Sequence, residues 1–300
     1  MNTTSKCGYV AIVGRPNVGK STLLNALIGK KISIISPKPQ TTRNQILGIK
    51  TIGEIQIVYI DTPGLHDAAK RAMNRYMNRL ASAVILDADV IVFIIEATRW
   101  VEDDELALKK IAAAEVPIIL VINKIDKLGD KKEILPLIEK YKEKYSFAHI
   151  IPISAKRHEN LDSLEKTLME MMPEGPHLFP DEQITDKNER FQVAEIIREK
   201  VIRSTEQELP YSTTVVVEAM KEENKLLEIS AIIWVERESQ KPIVIGKNGE
   251  RLKSIGTAAR KEIVKLLGKK IFLRLWVKVK SDWTDDERAL GSLGFASDGE

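Results

Sequence analysis

Two uninterrupted apolar runs, VIVFII at 90–95 and VPIILVI at 116–122, constrain the fold more than any other feature of the chain. Neither has a polar face, so both sides of each must be buried. That is the condition of strands inside a parallel sheet with helices on both faces. Both runs are far shorter than the ~20 residues a bilayer span requires. The same grammar extends from Tyr9 to about Met172. YVAIVG, EIQIVYIDT, DVIVFII, PIILVIN and HIIPISA alternate with segments such as KSTLLNALIG and NLDSLEKTLMEMM, whose apolar residues recur at three- and four-residue spacing. The alternation predicts βαβ units and an α/β domain with a mostly parallel sheet.

A stretch rich in proline and acidic residues follows, PEGPHLFPDEQITD at 173–186, without periodicity and read as a linker. Beyond it the order changes to helix, strand, strand, short helix, glycine loop, helix, strand, which predicts a smaller α+β domain. The 300 residues are too many for one ordinary domain. The expected division is 1–172, a linker at 173–187, a second domain at 188–284 and a C-terminal tail at 285–300. The net charge of +3 hides a polarity between segments. Residues 186–238 carry 8 Lys/Arg against 12 Asp/Glu, whereas 240–280 carry 12 Lys/Arg against only Glu250 and Glu262, a net of +10. The single cysteine, Cys7, allows no intramolecular disulfide and points to a reducing compartment. The start of the chain lacks a charged region followed by a long apolar run, so no signal peptide is expected.

GRPNVGKS, from Gly14 through Arg15, Pro16, Asn17, Val18, Gly19 and Lys20 to Ser21, follows a strand and opens a helix that continues with Thr22. This is the context of a phosphate loop: glycines let backbone N–H groups converge on phosphate oxygens at a helix N-terminus. Lys20 would reach the β- and γ-phosphates and the Ser21 hydroxyl would hold Mg²⁺. DTPG, from Asp61 through Thr62 and Pro63 to Gly64, ends a later strand. It would supply a carboxylate for Mg²⁺ and, at Gly64, an N–H for the γ-phosphate; Leu65 follows it. Asn123, Lys124 and Asp126 form NKID directly after a buried strand. An aspartate there can accept from guanine N1–H and N2–H₂, whereas adenine would leave it desolvated and unpaired. Ser154, Ala155 and Lys156 follow the last strand, where a backbone N–H can meet guanine O6. Four loops at the carboxyl ends of strands, in this order, predict a GTP site and disfavour an ATPase or metabolite kinase. The four histidines, His66, His149, His158 and His177, show no ligand spacing and read as ordinary surface or packing residues.

These motifs resemble those of translation-factor-like small GTPases. The resemblance implies a first switch in SPKPQTTRNQ, with a threonine that binds Mg²⁺ and senses the γ-phosphate. Thr42 is the choice and Thr41 the competing one, since spacing does not separate neighbours. Arg43 beside them reads as a solvated switch residue. Lys20, Thr42 and Gly64 are the expected catalytic set. Leu65 stands where Ras-like enzymes carry a glutamine; a leucine cannot orient water, so slow intrinsic hydrolysis is expected. Asn17 resembles the asparagine that binds a monovalent cation in some relatives, which implies K⁺ stimulation.

The second glycine loop, Gly246-Lys247-Asn248-Gly249, is too short for a phosphate loop and has no Ser or Thr to hold Mg²⁺. A GXXG loop between two helices is how a KH domain clamps about four nucleotides of RNA. The glycines allow close approach, Lys247, Arg251 and Lys253 add charge, and Ile243, Val244 and Ile245 would form an apolar floor. A GTPase joined to a KH domain resembles the Era family, and ERFQVAEIIREKV, PIVIGKNGERLKSIGTAARKEI and LRLWVKVKSDWTDDERALGSLGF carry that likeness. The resemblance implies a type II KH fold and binding near the 3′ end of small-subunit ribosomal RNA. It also implies a role in maturation of the small ribosomal subunit, and a cytoplasmic, monomeric protein with peripheral membrane contact. Asn248 departs from the Gly-Lys-Gly-Gly of many such loops. The competing expectation is a GTPase whose basic C-terminal domain docks on a membrane or protein partner.

Overall fold

The computed structural model describes residues 4–36, 38, 41–63, 72–205, 212–293 and 295. The chain divides into two compact units, the first comprising 1–33, 42–67 and 76–186 and the second 34–41, 68–75 and 187–300. Among the described residues no helix is long and apolar enough to cross a membrane.

In the first unit, β1 (Lys6–Val13), β2 (Ile46–Ile52), β3 (Ile55–Asp61), β4 (Val90–Glu96), β5 (Ile118–Asn123) and β6 (His149–Pro152) form one sheet in the order β2-β3-β1-β4-β5-β6. All its pairings are parallel except β2 with β3. The apolar runs behave as their composition demands, since every residue of β4 and of β5 is buried. Helices α1 (Lys20–Ile28), α2 (Ala72–Asp87), α3 (Glu102–Ile111), α4 (Ile134–Lys142) and α5 (Leu161–Met171) complete the unit's chain order, with the start of α2 assigned to the second unit. One core joins Phe93, Ile95, Leu120 and Ile122 of the sheet to Leu108, Ile111 and Tyr141 of α3 and α4. Because β1 lies between β3 and β4, the connections leaving it and β3 diverge and open a crevice at the strands' carboxyl ends. Strand β2 was not among the expected elements. It reaches β3 through Gly53, whose φ of +57° makes the tight reversal that glycine adopts freely. The proline-rich stretch lies along this edge: Ile49 N–H donates to Ile184 O, and Gln56 Oε1 accepts from Leu178 N and Phe179 N.

The second unit contains α6 (Glu189–Ser204), β7 (Thr213–Glu223), β8 (Leu226–Val235), α7 (Lys241–Ile245), α8 (Glu250–Leu267), β9 (Lys270–Val279) and α9 (Glu287–Ser292). Strand β8 pairs antiparallel with β7 and parallel with β9, and the parallel step is made by the crossover through α7 and α8. Val193, Ile197 and Val201 of α6 and Ile255, Ala259 and Ile263 of α8 recur at helical spacing and share a core with Ile229, Ala231 and Ile233 of β8. Segment 34–41 belongs to this unit through polar contacts at the carboxyl end of α6. Lys38 Nζ donates to Ile202 O (2.7 Å) and to Thr205 O, Arg203 Nη2 donates to Ile35 O (2.8 Å), and Arg198 Nη2 donates to Thr41 O. Met73 at the start of α2 donates its N–H to Thr284 O (3.0 Å).

Candidate nucleotide site and candidate RNA cleft

The phosphate loop runs from Gly14 to Gly19 between β1 and α1, and the structure explains why so many of its residues are of fixed type. A Cβ on Gly14 would lie 2.4 Å from Ile94 O, and one on Gly19, at φ +112°, would lie 2.3 Å from Asn123 Nδ2. Val18 is fully buried, so its side chain is an anchor and only its backbone can face a ligand. Arg15 is also turned inward, pairing with Glu96 (3.3 Å) and Asp104 (3.1 Å), while Pro16 is half-buried and Asn17 exposed. Lys20 Nζ donates to Gly14 O (2.9 Å) and Arg15 O (3.1 Å), so the ammonium already lies inside the loop. Burial lowers its pKa to about 8, with Asp61 opposing that shift and Arg15 adding to it.

At the end of β3, Asp61 is fully buried and gathers hydroxyl groups. Its Oδ2 accepts from Ser21 (2.7 Å) and Ser33 (3.0 Å), and Thr42 Oγ1 lies 3.5 Å away and 2.9 Å from Ser21 Oγ. Its Oδ1 is buried with no hydrogen-bond partner. Burial pushes the carboxyl pKa up, against the pull of Lys20 and the three hydroxyls. An orphaned carboxylate oxygen among hydroxyl ligands fits a small, hard divalent cation with oxygen ligands. The adjacent threonines are separated by geometry: Thr42 turns to Ser21 and Asp61, while Thr41 Oγ1 donates to Lys38 O (2.6 Å). Arg43 requires a correction. It is 1% exposed rather than solvated, because Thr41 and Thr42 are buried too and this part of the loop lies against the protein. Thr62 is likewise buried, its hydroxyl donating to Ile12 O (3.0 Å), and Pro63 follows it. Gly64, Leu65 and His66 lie outside the described residues.

The loops after β5 and β6 meet the phosphate loop from the other side. Asn123 Nδ2 donates to Val18 O (2.8 Å) and its Oδ1 accepts from Ala155 N (3.0 Å), so one amide holds two loops in register. Lys124, at φ +66°, donates to Asn17 O (2.7 Å) and pairs with Glu96 (3.2 Å). Asp126 accepts from the Ser154 hydroxyl (2.5 Å), which orients its carboxylate. Lys156 is exposed and Thr22 half-buried. Glu96 was missed at the sequence level, although it receives Arg15, Lys124 and Lys127 together. Burial raises its pKa, but the hydrogen bonds from Lys127 and Lys124 outweigh that and bring it to about 2. Its only sequence signal was an acid ending an otherwise apolar strand.

In the second unit the glycine loop connects α7 to α8. Gly246 (φ +75°), Asn248 (φ +51°) and Gly249 (φ +77°) all have positive φ, and the last two are left-handed. Asparagine tolerates that region better than other non-glycine residues, so Asn248 keeps the turn that a third glycine would make. A Cβ on Gly246 would sit 2.6 Å from Arg251 Cβ. Lys247 and Lys253 are exposed; the Arg251 guanidinium instead donates to Ile243 O. Of the apolar floor residues, Val244 is fully buried in the unit's core, Ile245 is half-buried and Ile243 is 42% exposed. A cleft of about 540 Å³ runs between α8 and β9, with Gly249, Lys253, Gly256 and Arg260 along one wall and Ile271 to Leu273 along the other. Gly256 was not anticipated as a lining residue. Its signal was a glycine inside a helix, which costs about 1 kcal/mol relative to alanine and so marks the position.

Fold and sites together describe a GTPase domain followed by a KH domain. Residues 9–124 match the family described as 50S ribosome-binding GTPase, and 208–284 match the KH domain family. The chain is 53% identical to GTPase Era of Pseudomonas aeruginosa over 97% of its length and 95% of the relative's. It is 55% identical to GTPase Era of Coxiella burnetii over 96% of its length and 98% of that relative's. The chain belongs to the Era family of GTPases. Among solved structures, Aquifex aeolicus Era bound to GDP·AlF4⁻ matches with a TM-score of 0.94 at 45% identity, covering 97% of this chain and all of that one. Era in complex with MgGDPNP and nucleotides 1506–1542 of 16S ribosomal RNA matches with a TM-score of 0.95 at 46% identity, covering 98% and 100%.

Proposed function

We propose that the chain is a GTP-hydrolysing switch that binds ribosomal RNA near the 3′ end of the small-subunit molecule and acts in small-subunit maturation. The observation that carries this reading is the likeness, over 98% of the chain, to an Era bound at once to MgGDPNP and to 16S nucleotides 1506–1542. The nucleotide would occupy the crevice bounded by Gly14–Thr22, Asp61–Pro63, Asn123–Asp126 and Ser154–Lys156, and in the expected scheme Gly64 would offer its N–H to the γ-phosphate. Lys20 would exchange its carbonyl partners for β- and γ-phosphate oxygens, and the α1 N-terminus would add its partial positive charge. Asp126, oriented by Ser154, would accept the two guanine donors. Ser21, Thr42 and Asp61 would hold Mg²⁺, whose chemistry there is to neutralise charge on the β- and γ-phosphates. Thr42 carries the switch, because its place beside Ser21 and Asp61 depends on what occupies that corner. In the KH domain the glycine loop, Lys247 and Lys253 would clamp the RNA backbone over the cleft. The protein acts as a cytoplasmic monomer in this reading.

The test is equilibrium binding of labelled 16S nucleotides 1506–1542 to full-length protein loaded with GDPNP. Lys247→Asp/Asn248→Asp is expected to abolish RNA binding while GDPNP binding stays within about twofold. Undiminished RNA binding by that variant, or none by wild type, would reject the KH assignment in favour of a docking module.

A further inference from the structure

We infer that the exposed face of strand β9 is a second contact for single-stranded RNA, continuing the path of a strand that leaves the glycine-loop cleft. This rests on the RNA-binding reading above and extends it to a surface without the GXXG motif. Strand β9 divides its side chains strictly. Ile271 and Val277 are buried in the core shared with α6 and α8, while Lys270, Phe272, Arg274, Trp276 and Lys278 on the other face are all exposed. Phe272 is 44% and Trp276 43% exposed, unlike the aromatic rings of the buried cores. The strand, KIFLRLWVKV, contains three cations and no acid.

Packing accounts for part of this surface and leaves the rest unexplained. Trp276 lies in register with Ile232, which is 1% exposed, so an apolar neighbour stands beside the indole on β8. Phe272 lies in register with Glu228 and has no apolar cross-strand partner there. The Arg274 guanidinium sits 4.9 Å from the centre of the Phe272 ring, and Lys278 Nζ sits 5.9 Å from that of Trp234 on β8. Arg274 also meets Glu228 at 3.6 Å, with both side chains roughly half exposed, a contact weak enough to yield to a phosphate. Rings and cations therefore alternate along one strand, with Phe272 and Trp276 about 13 Å apart and Arg274 between them. That is the composition of a surface on which bases stack while the backbone is neutralised. Phe272 also stands at the rim of the α8–β9 cleft, so cleft and exposed face meet at this ring. A lipid surface would call for a contiguous apolar patch, and here the two rings are separated by a cation and bordered by Glu228.

The experiment uses the full-length GDPNP-loaded protein and labelled 16S nucleotides 1506–1542. Trp276→Ala is expected to weaken binding about 5- to 100-fold with an unchanged melting temperature, and Trp276→Phe to restore most of it. Arg274→Ala/Lys278→Ala is expected to flatten the slope of log affinity against log salt by about 1.4. Full affinity in Trp276→Ala, alongside loss in Lys247→Asp/Asn248→Asp, would overturn the second contact and leave the glycine-loop assignment standing. Absence of binding by wild type would overturn both. Weakening that comes with a lowered melting temperature and no rescue by Phe would assign Trp276 to packing alone and overturn the proposal. So would loss of binding to phosphatidylglycerol-containing vesicles with RNA affinity intact.

Discussion

Single residues in the nucleotide crevice are constrained by neighbours far away in sequence, and Gly19 is the sharpest case. Its φ of +112° suits glycine alone, and a Cβ there would press on Asn123 Nδ2, the donor that holds Val18 O. Gly19→Ala should therefore cost about 2–3 kcal/mol, combining backbone strain with a broken buried hydrogen bond. Urea unfolding of the nucleotide-free protein measures the cost, and a loss under about 0.5 kcal/mol would show that the loop shifts without strain. The identity of the loop was legible in GRPNVGKS because strand, turn, Lys-Ser and helix agreed. The choice between Thr41 and Thr42 was not, since it depends on which hydroxyl turns toward Asp61 across the crevice. Arg43 misled for a related reason: a polar loop gives no sign of which side lies against the protein.

Strands β4 and β5 were readable from sequence because each is buried on both faces and needs no partner to explain its composition. Strand β2 hid because its residues are partly exposed and its Gly48 and Lys50 weaken the pattern, although Gly53 between two β-branched runs was a hairpin signal. What no single element discloses is the network at the carboxyl ends of β4 and β5. Glu96 there joins Arg15 of the phosphate loop (3.3 Å) to Lys124 (3.2 Å) and Lys127 (3.0 Å). Glu96→Gln should destabilise the protein by about 2–3 kcal/mol at neutral pH, since it leaves partly buried cations underpaired. The folded pKa, about 2, lies below the ordinary 4.5, so the Glu96 contribution is fully present above pH 4.5 and is lost as pH falls through about 2. The gap in unfolding free energy between wild type and variant should thus be flat from pH 7 to 5 and shrink below 4.5. A gap that stays constant down to pH 3 would mean that the carboxylate charge is not what stabilises.

For the whole molecule the question is whether nucleotide state reaches the RNA-binding half. Segment 34–41, which runs directly into Thr42, is grouped with the second unit and not with the nucleotide crevice. Lys38 and Arg203 tie it to the end of α6, a helix whose Val193, Ile197 and Val201 lie in the same core as α8. If Thr42 is drawn to the γ-phosphate and its cation, the ordering of this segment becomes a differential contact between the GTP and GDP forms, and such a contact is what coupling requires. The GDPNP form should then bind 16S nucleotides 1506–1542 about 5- to 150-fold more tightly than the GDP form. Linkage makes the effect reciprocal: the same RNA must raise the preference for GDPNP over GDP by the same factor. Lys38→Met/Arg203→Met should bring both ratios to within about twofold of unity while each ligand still binds. Calorimetric titration of RNA into the two nucleotide forms, and of each nucleotide with and without RNA, closes the cycle. Equal RNA affinity in the two wild-type forms would remove the coupling altogether. A ratio that persists in the double variant would keep the coupling but move it off α6, leaving the start of α2, tied by Met73 to Thr284, as its route.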